Sequence, residues 1–254
     1  MPRVRSLARL AALAAALVAL LPARARAGAP CPAIAGGDPA LAARDPEARL
    51  AFIRARLAHD AWRSRQWSLA FGTSYAAITA ASVVAAPLLR DRASVPDLYV
   101  GGFSAIVGFG LIAVAPLKVI LDREALEASI AADPHAERCA VLARAEALLI
   151  ADAKNEKFGR GWLIHSGNVL IGVGALLVLG LGYGRWGSGV ANGLGSVAVG
   201  ELMILTQPHG LVRDLKNYRL GDLREPQRRR RRAAFMAAPT LLGSGYGVAL
   251  VGRF

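Results

Sequence analysis

The sequence predicts an all-α membrane protein with four transmembrane helices arranged as two tandem hairpins. The mean hydropathy is +0.38 and 54% of the 254 residues are hydrophobic, which exceeds the average of soluble domains. Four apolar runs rich in glycine and alanine are each about 20 residues long, enough to cross a ~30 Å hydrocarbon core as a helix. The last two runs are separated only by the short turn Tyr183 to Gly187, as in a transmembrane hairpin.

The net charge of +13 would by itself suit a nucleic-acid-binding protein. The arginines, however, are not interleaved with aromatic residues that could stack on bases, and apolar helices dominate the chain. We therefore predict no nucleic-acid partner. The predicted partners are the lipid bilayer and either a second copy of the chain or another membrane protein.

Residues 1–27 have the organisation of a secretory signal peptide. Three arginines open the segment, an apolar run follows from Leu10 to Leu21, and Ala25-Arg26-Ala27 has the form of a cleavage site. The apolar run is shorter than the ~20 residues that a transmembrane helix needs. Arg24 and Arg26 are unusual so close to a cleavage site, and an uncleaved N-terminal anchor is the alternative.

Residues 28–66 are predicted to form a linker and then an amphipathic helix. Asp45-Pro46 supplies an N-cap and a proline at the first helical position. An apolar stripe follows at helical spacing: Leu50, Ile53, Leu57 and Ala61. The rest of the cylinder is predicted to carry the charged residues Arg49, Arg54, Arg56 and Arg63. The helix is expected to continue into the first span at Trp67.

The two transmembrane hairpins are assigned to residues 67–121 and 161–208. The predicted spans are Trp67–Leu89, Leu98–Val119, Trp162–Leu181 and Ser188–Thr206. Trp67 and Trp162 open two of these spans on the same side, and we expect both to lie in an interfacial aromatic belt.

Residues 122–160 are predicted to form extramembrane helices between the hairpins. Asp133-Pro134 breaks the first helix after Ala132 and is expected to cap the second. The second helix has an apolar stripe made of Val141, Leu142, Ala145, Leu148 and Leu149. Its other face is predicted to carry Glu137, Arg144, Asp152 and Lys154.

The two hairpins resemble a tandem repeat. At an offset of 92 residues several positions coincide: Gly101, Ser104 and Gly108 match Gly193, Ser196 and Gly200. At an offset of 95 residues Trp67 matches Trp162. Chance matches are frequent in helices rich in glycine and alanine, so the repeat is a hypothesis. If it holds, two-span units are related by an axis along the membrane normal.

Residues 209–254 form a basic C-terminal tail. The stretch 233–254 is either a fifth span or a short β-hairpin, and its glycines and alternating apolar residues favour the hairpin. The last nine residues resemble the C-terminal signal of outer-membrane β-barrel proteins, whereas the rest of the chain departs from the barrel pattern. The run Arg228 to Arg232 is either a solvated charge run or an anchor at an anionic membrane surface.

Four polar residues near the start of span three and the end of span four form a candidate binding site: His165, Asn168, Glu201 and Gln207. In a hairpin that turns near Trp186, residue 165 is expected opposite residue 207. A carboxylate within a membrane is unfavourable by roughly 2.5–3.5 kcal/mol at a helix centre, so Glu201 indicates a functional site or a buried pairing. The alternative is that these groups are structural hydrogen-bonding partners between helices.

The two cysteines, Cys31 and Cys139, are a candidate disulfide, and two free thiols are the alternative. A cleaved signal followed by four spans places both on the outer side, where a disulfide can form. The same orientation leaves few basic residues in the inner loops, contrary to the positive-inside rule. We nevertheless follow the signal and predict an inner-membrane protein with periplasmic extramembrane helices.

The histidines lack metal-binding spacing and the serines lack a nucleophile elbow, so no metal site, cofactor or catalytic residue is predicted. His59-Asp60 is expected to be a solvated pair. The favoured function is a structural envelope protein or a component of a membrane complex. The alternatives are a transporter or channel component that uses Glu201 and, third, a lipid-acting membrane enzyme that uses His165.

Overall fold

The computed structural model describes residues 30–114, 117–224, 234–242 and 245–253. Within them, four helices are long and apolar enough to cross a membrane: Pro46–Leu88, Arg92–Ile112, Arg138–Gly182 and Trp186–Arg219. The prediction of a mainly helical chain with four candidate membrane spans is thereby confirmed. The predicted signal peptide, residues 1–27, and the arginine run, residues 228–232, lie outside the described residues.

Helix α1, Pro46–Leu88, is one uninterrupted helix that includes both the amphipathic segment and the first apolar run. The Asp45 carboxylate accepts hydrogen bonds from the amides of Glu47 and Ala48, and Pro46 occupies the first helical position. After a 3-10 turn, Arg92–Ser94, helix α2 (Val95–Val114) packs back along α1. Helix α3 comprises Leu117–Ala132.

The second half of the chain begins with helix α4, Arg138–Gly159, which leads into α5, Trp162–Leu177, and a π-helical turn, Val178–Gly182. The prediction that Asp133-Pro134 caps α4 is wrong. Asp133 instead accepts a hydrogen bond from the His135 amide, and the carboxylate of Glu137 caps α4 by accepting from the amides of Cys139 and Ala140.

Helix α6 comprises Trp186–Thr206 and helix α7 comprises Gly210–Arg219. The turn before α6 contains Gly184 at a φ of 68°, a left-handed conformation that favours glycine. Strands β1, Ala234–Leu242, and β2, Gly245–Arg253, pair antiparallel, with Ala234 opposite Arg253.

We call residues 67–114 and 162–206 the apolar half of the molecule. Here α1 packs on α2 and α5 packs on α6, around a core of Trp67, Phe71, Tyr75, Ile78, Ala105, Ile112 and Met203. The two hairpins are joined at one end by an ion pair in which Arg185 donates to both carboxylate oxygens of Asp97, at 3.2 and 2.6 Å.

Trp67 does not lie in an exposed aromatic belt, contrary to the expectation from its position at the start of a span. Its side chain is buried in the core of the apolar half, and its Nε1 donates a hydrogen bond to Thr206 Oγ1 at 3.2 Å. Trp162 is 77% exposed, so the two tryptophans that begin the hairpins have different environments. Many large apolar side chains of this half are also exposed, as expected for helices in contact with lipid.

We call residues 30–66, 117–159 and 210–224 the polar half. The first part of α1 packs there with α3, α4 and α7 around a second core, whose fully buried members include Leu41, Ile53, Leu57, Leu126, Leu149 and Leu211. Cys31 and Cys139 form a disulfide with a Cα–Cα distance of 5.4 Å. This bond joins the segment before α1 to the first turn of α4.

Candidate functional site

His165, Asn168 and Glu201 form one polar cluster between α5 and α6. The Nδ1 of His165 lies 2.6 Å from Oε2 of Glu201, and Asn168 Nδ2 donates to the other oxygen, Oε1, at 3.0 Å. The same amide nitrogen also donates to the Val197 carbonyl at 2.9 Å. Both carboxylate oxygens of Glu201 are therefore engaged by side chains of the neighbouring helix.

The cluster lies near one end of its hairpin. His165 is three residues from the start of α5 at Trp162, which corresponds to about 5 Å along the helix axis. The side chains of His165 and Glu201 are 35% and 30% exposed. In a helix that crosses a bilayer, a carboxylate near the helix end is less unfavourable than one at the helix centre.

The helix register differs from the prediction that placed residue 165 opposite residue 207. Gly172 and Gly193 face each other so closely that a Cβ on either would lie 2.7 Å from the other's carbonyl oxygen. These glycines fix the crossing point of α5 and α6, because only residues without a side chain allow such an approach. The π-helical turn and Tyr183-Gly184-Arg185 then connect the helices, and Glu201 comes opposite His165 and Asn168.

Gln207 is the one proposed site residue that the described structure does not bring into contact with the others. Its buried side chain lies against Gly159, where a Cβ would be 2.7 Å from Gln207 Nε2. Gln207 thus contacts the end of α4, rather than the His165–Asn168–Glu201 cluster.

A cavity of about 350 Å³ lies between the two hairpins, next to this cluster. Tyr75 and Ile78 of α1 line one side, and Asn168 and Gly200 line the other. Apolar and small residues dominate its walls, with polar contributions from Ser104, Asn192 and Ser196. Asn168 lines the cavity, whereas His165 and Glu201 are not among the residues that do.

The polar half contains a buried ion pair that sequence patterning did not predict. Arg49 is fully buried, and its NH2 donates to Glu146 Oε1 at 2.5 Å and to the Pro32 carbonyl at 2.8 Å. Its other nitrogens donate to the Cys31 carbonyl and to the Tyr218 hydroxyl, which itself donates to Glu146. This network connects the disulfide-bonded segment with α1, α4 and α7.

A second buried group in the polar half consists of the carboxyls of Asp60, Glu156 and Asp214. Both carboxylate oxygens of Asp60 and Oε1 of Glu156 are buried without a hydrogen-bond partner among the described residues, and the two carboxyls lie close enough to interact electrostatically. Burial, reinforced by the neighbouring Asp60, raises the pKa of Glu156 to about 9. Glu156 Oε2 also accepts a hydrogen bond from the Val212 amide at 3.2 Å.

Several expectations about charged faces are therefore wrong. Arg49, Arg56 and Asp152 are predicted on the faces away from the apolar stripes and Asp60 in a solvated pair, yet all four are buried. Helical spacing could have placed them: on α1 the residues at 49, 53, 56 and 60 share one face, as do those at 142, 145, 149, 152 and 156 on α4. For Arg49, Arg56 and Asp152 another helix supplies the oppositely charged partner, namely Glu146, Asp214 and Lys118.

Glu156→Gln is expected to stabilise the protein at alkaline pH. A raised pKa contributes stability that is present below the ordinary carboxyl pKa and is lost as the pH rises through about 9. Glutamine keeps an acceptor for the Val212 amide and cannot ionise. We expect nearly equal melting temperatures near pH 4, below the ordinary carboxyl pKa, and a variant more stable by at least about 1 kcal/mol near pH 8.5.

The control for this comparison is Glu124→Gln, at a half-exposed carboxylate in the same half of the molecule. This control variant should show no gain in stability over wild type as the pH rises. An equal pH dependence of stability for wild type and Glu156→Gln would contradict the raised pKa of Glu156.

No group of histidine, cysteine and acidic side chains among the described residues has the geometry to hold a metal ion. No family model, curated protein or solved structure matches the chain significantly. The structure defines a helical protein with four candidate membrane spans. These helices and the geometry of the polar cluster are the basis for a functional assignment.

Proposed function

We propose that this chain is a non-enzymatic integral membrane protein of a bacterial-type cell envelope, serving as a structural protein or a component of a membrane complex. In this proposal the apolar half spans the inner membrane and the polar half is a periplasmic domain. The observation that supports this proposal is that both carboxylate oxygens of Glu201 are hydrogen-bonded, one to His165 and one to Asn168, and that Glu201 does not line the cavity. A carboxylate in this state is a structural bridge between two helices.

The proposed location is supported by two structural features of the polar half, its separate core and its disulfide. Its core is separate from that of the apolar half, and it contains the Cys31–Cys139 disulfide. Disulfides persist in oxidising compartments such as the periplasm. An exported polar half also agrees with the signal-like residues 1–27.

We also propose that the two hairpins descend from one repeated unit. In each, a polar helix leads into an apolar span, a second span returns, and a shorter helix follows: α1, α2 and α3 in the first, and α4–α5, α6 and α7 in the second. The C-terminal strands β1 and β2 have no counterpart in either unit among the described residues.

The second candidate function is a proton- or ion-coupled transporter component. The observation in its favour is that Asn168 contacts Glu201 on one side and lines the inter-hairpin cavity on the other. A small movement of Asn168 would connect the carboxylate with the cavity. An intramembrane carboxylate next to an inter-repeat cavity is a common arrangement in transporters.

Glu201→Gln distinguishes these two functions. Glutamine preserves an acceptor for Asn168 and a hydrogen-bonding group for His165, so a structural role predicts normal insertion and a loss of at most about 1 kcal/mol. Glu201→Ala removes both contacts and should lower the melting temperature further. The measurements are membrane insertion, melting of the purified protein, and proton or ion flux in liposomes.

A transporter predicts a different outcome. Wild-type protein would then conduct a measurable flux, and Glu201→Gln would abolish it while the protein remained inserted and stable. That result would exclude the structural assignment.

A further inference from the structure

The polar half contains a basic cleft that neither the disulfide nor the buried networks explain. The cleft has a volume of about 480 Å³ and lies between α4, α7 and the loop before α1. Lys154 and Lys157 enter it from α4, and Lys216 and Arg219 enter it from α7. Gly36 and Gly37 also line it, and Gly36 has a φ of +72°, so the loop conformation favours glycine there.

These four cations have no acidic partner among the described residues. Elsewhere in the polar half, basic side chains form ion pairs, as Arg54 does with Glu127, Arg65 with Glu124 and Arg138 with Glu47. None of the ion pairs in the described part of the chain involves Lys154, Lys157, Lys216 or Arg219. Four like charges held around one concave surface repel one another, and an anion would relieve that repulsion.

One donor of a residue that lines the cleft lacks an acceptor. The Nε of Arg219 is buried and has no hydrogen-bond partner, although a buried donor is normally satisfied. The carboxylate of Asp38, which also lines the cleft, is already used: it accepts a hydrogen bond from the Ala40 amide at 2.7 Å as the cap of a short 3-10 helix. The Nε of Arg219 therefore still requires a hydrogen-bond acceptor, which an oxygen of a bound anion would supply.

The cleft lies close to the apolar half. Lys157 precedes Trp162 by five residues along nearly continuous helices, a rise of about 7 Å. This height is within the headgroup region of a bilayer whose hydrocarbon begins near Trp162. Lys216 and Arg219 lie farther along α7, so the cleft extends outward from that level.

We propose that this basic cleft binds a phosphate-bearing anion through charge-assisted hydrogen bonds from Lys154, Lys157, Lys216 and Arg219. A phosphate group offers several acceptor oxygens, which suits converging lysines and a guanidinium. The phosphate can belong to the headgroup of an anionic lipid or to a soluble phosphorylated molecule. The site is independent of His165, Asn168 and Glu201 and of the proposed structural role.

The test is a binding experiment on the purified full-length protein with two probes. One probe is fluorescent phosphatidylglycerol, titrated in detergent micelles against a phosphatidylcholine reference. The other is inorganic pyrophosphate, titrated by calorimetry. The double variant Lys157→Gln/Lys216→Gln should weaken binding of whichever probe the wild type binds by on the order of tenfold, because each basic residue near a phosphate contributes to the binding free energy.

The matched control is Arg63→Gln/Arg144→Gln. It removes the same charge from two exposed arginines outside the cleft, and Arg63 lies four residues before Trp67, at a height similar to that of Lys157. This control should keep the affinity within about twofold. Unchanged melting temperatures would show that both double variants are folded, and the single variants Lys157→Gln and Lys216→Gln repeat the comparison if the double variant is unstable.

The two probes identify the source of the phosphate. Saturable binding of phosphatidylglycerol alone, lost in the cleft variant, assigns a lipid headgroup. Saturable binding of pyrophosphate with the same loss assigns a soluble ligand. Absence of saturable binding to both probes, or equal weakening by the control variant, overturns the proposal.

Discussion

Glu146→Ala is expected to destabilise the protein by about 3–5 kcal/mol, because it leaves a buried guanidinium without its carboxylate. Arg49 is fully buried, and after the substitution only the carbonyls of Cys31 and Pro32 and the Tyr218 hydroxyl would remain as its partners. Tyr218 would also lose the acceptor of its own hydroxyl. In a chain of this size the loss corresponds to a fall in melting temperature of about 10 °C.

The control is Glu127→Ala, which breaks the ion pair with Arg54 on the surface of the same half. Those side chains are 32% and 43% exposed, so solvent replaces much of the lost interaction. Pairs of this kind contribute less than about 1 kcal/mol. Equal effects of the two substitutions on thermal unfolding would show that burial does not distinguish the Arg49 network.

Much of the helical architecture was predictable from local features of the sequence. The apolar runs have membrane-spanning length, and the Asp45-Pro46 cap marks the start of α1 correctly. These features depend on residues close in the sequence. The start of α4 was misplaced because two acidic residues, Asp133 and Glu137, both precede helical sequence, and only the backbone conformation determines which one caps.

The candidate site was predictable in part, since polar residues in apolar helices are conspicuous. His165, Asn168 and Glu201 come together, but Gln207 does not join them. The difference arises from the register of α5 against α6. Estimating register from the turn alone ignores Gly172 and Gly193, whose close approach fixes the crossing point.

The buried charges of the polar half were missed because their partners are distant in the sequence. Arg49 and Glu146 are 97 residues apart, and Arg49 and Tyr218 are 169 residues apart. A periodic pattern assigns an arginine to the solvated face, because it contains no information about a carboxylate on another helix. The basic cleft is similar, since Lys157 and Lys216 converge only when α4 and α7 pack together.

Removing the disulfide by Cys31→Ser/Cys139→Ser is expected to lower stability by about 4–5 kcal/mol, because it opens a loop of about one hundred residues in the unfolded chain. The sequence separation of the two cysteines is 108 residues, and the bond retains the segment that supplies two carbonyls to Arg49. The melting temperature of the double variant should therefore fall by roughly 10 °C. Reductant should lower the melting temperature of the wild type towards that of the double variant and leave the variant itself unchanged.

The same cysteines test where the polar half resides. In intact cells an exported polar half predicts that a maleimide reagent labels neither cysteine until the sample is denatured and reduced. Two thiols that are reactive after denaturation without a reductant would instead place the polar half in the cytoplasm, where thiols stay reduced. The proposed periplasmic location would then be wrong, whereas the helical fold and the His165–Asn168–Glu201 cluster would stand, because neither depends on the orientation of the bundle.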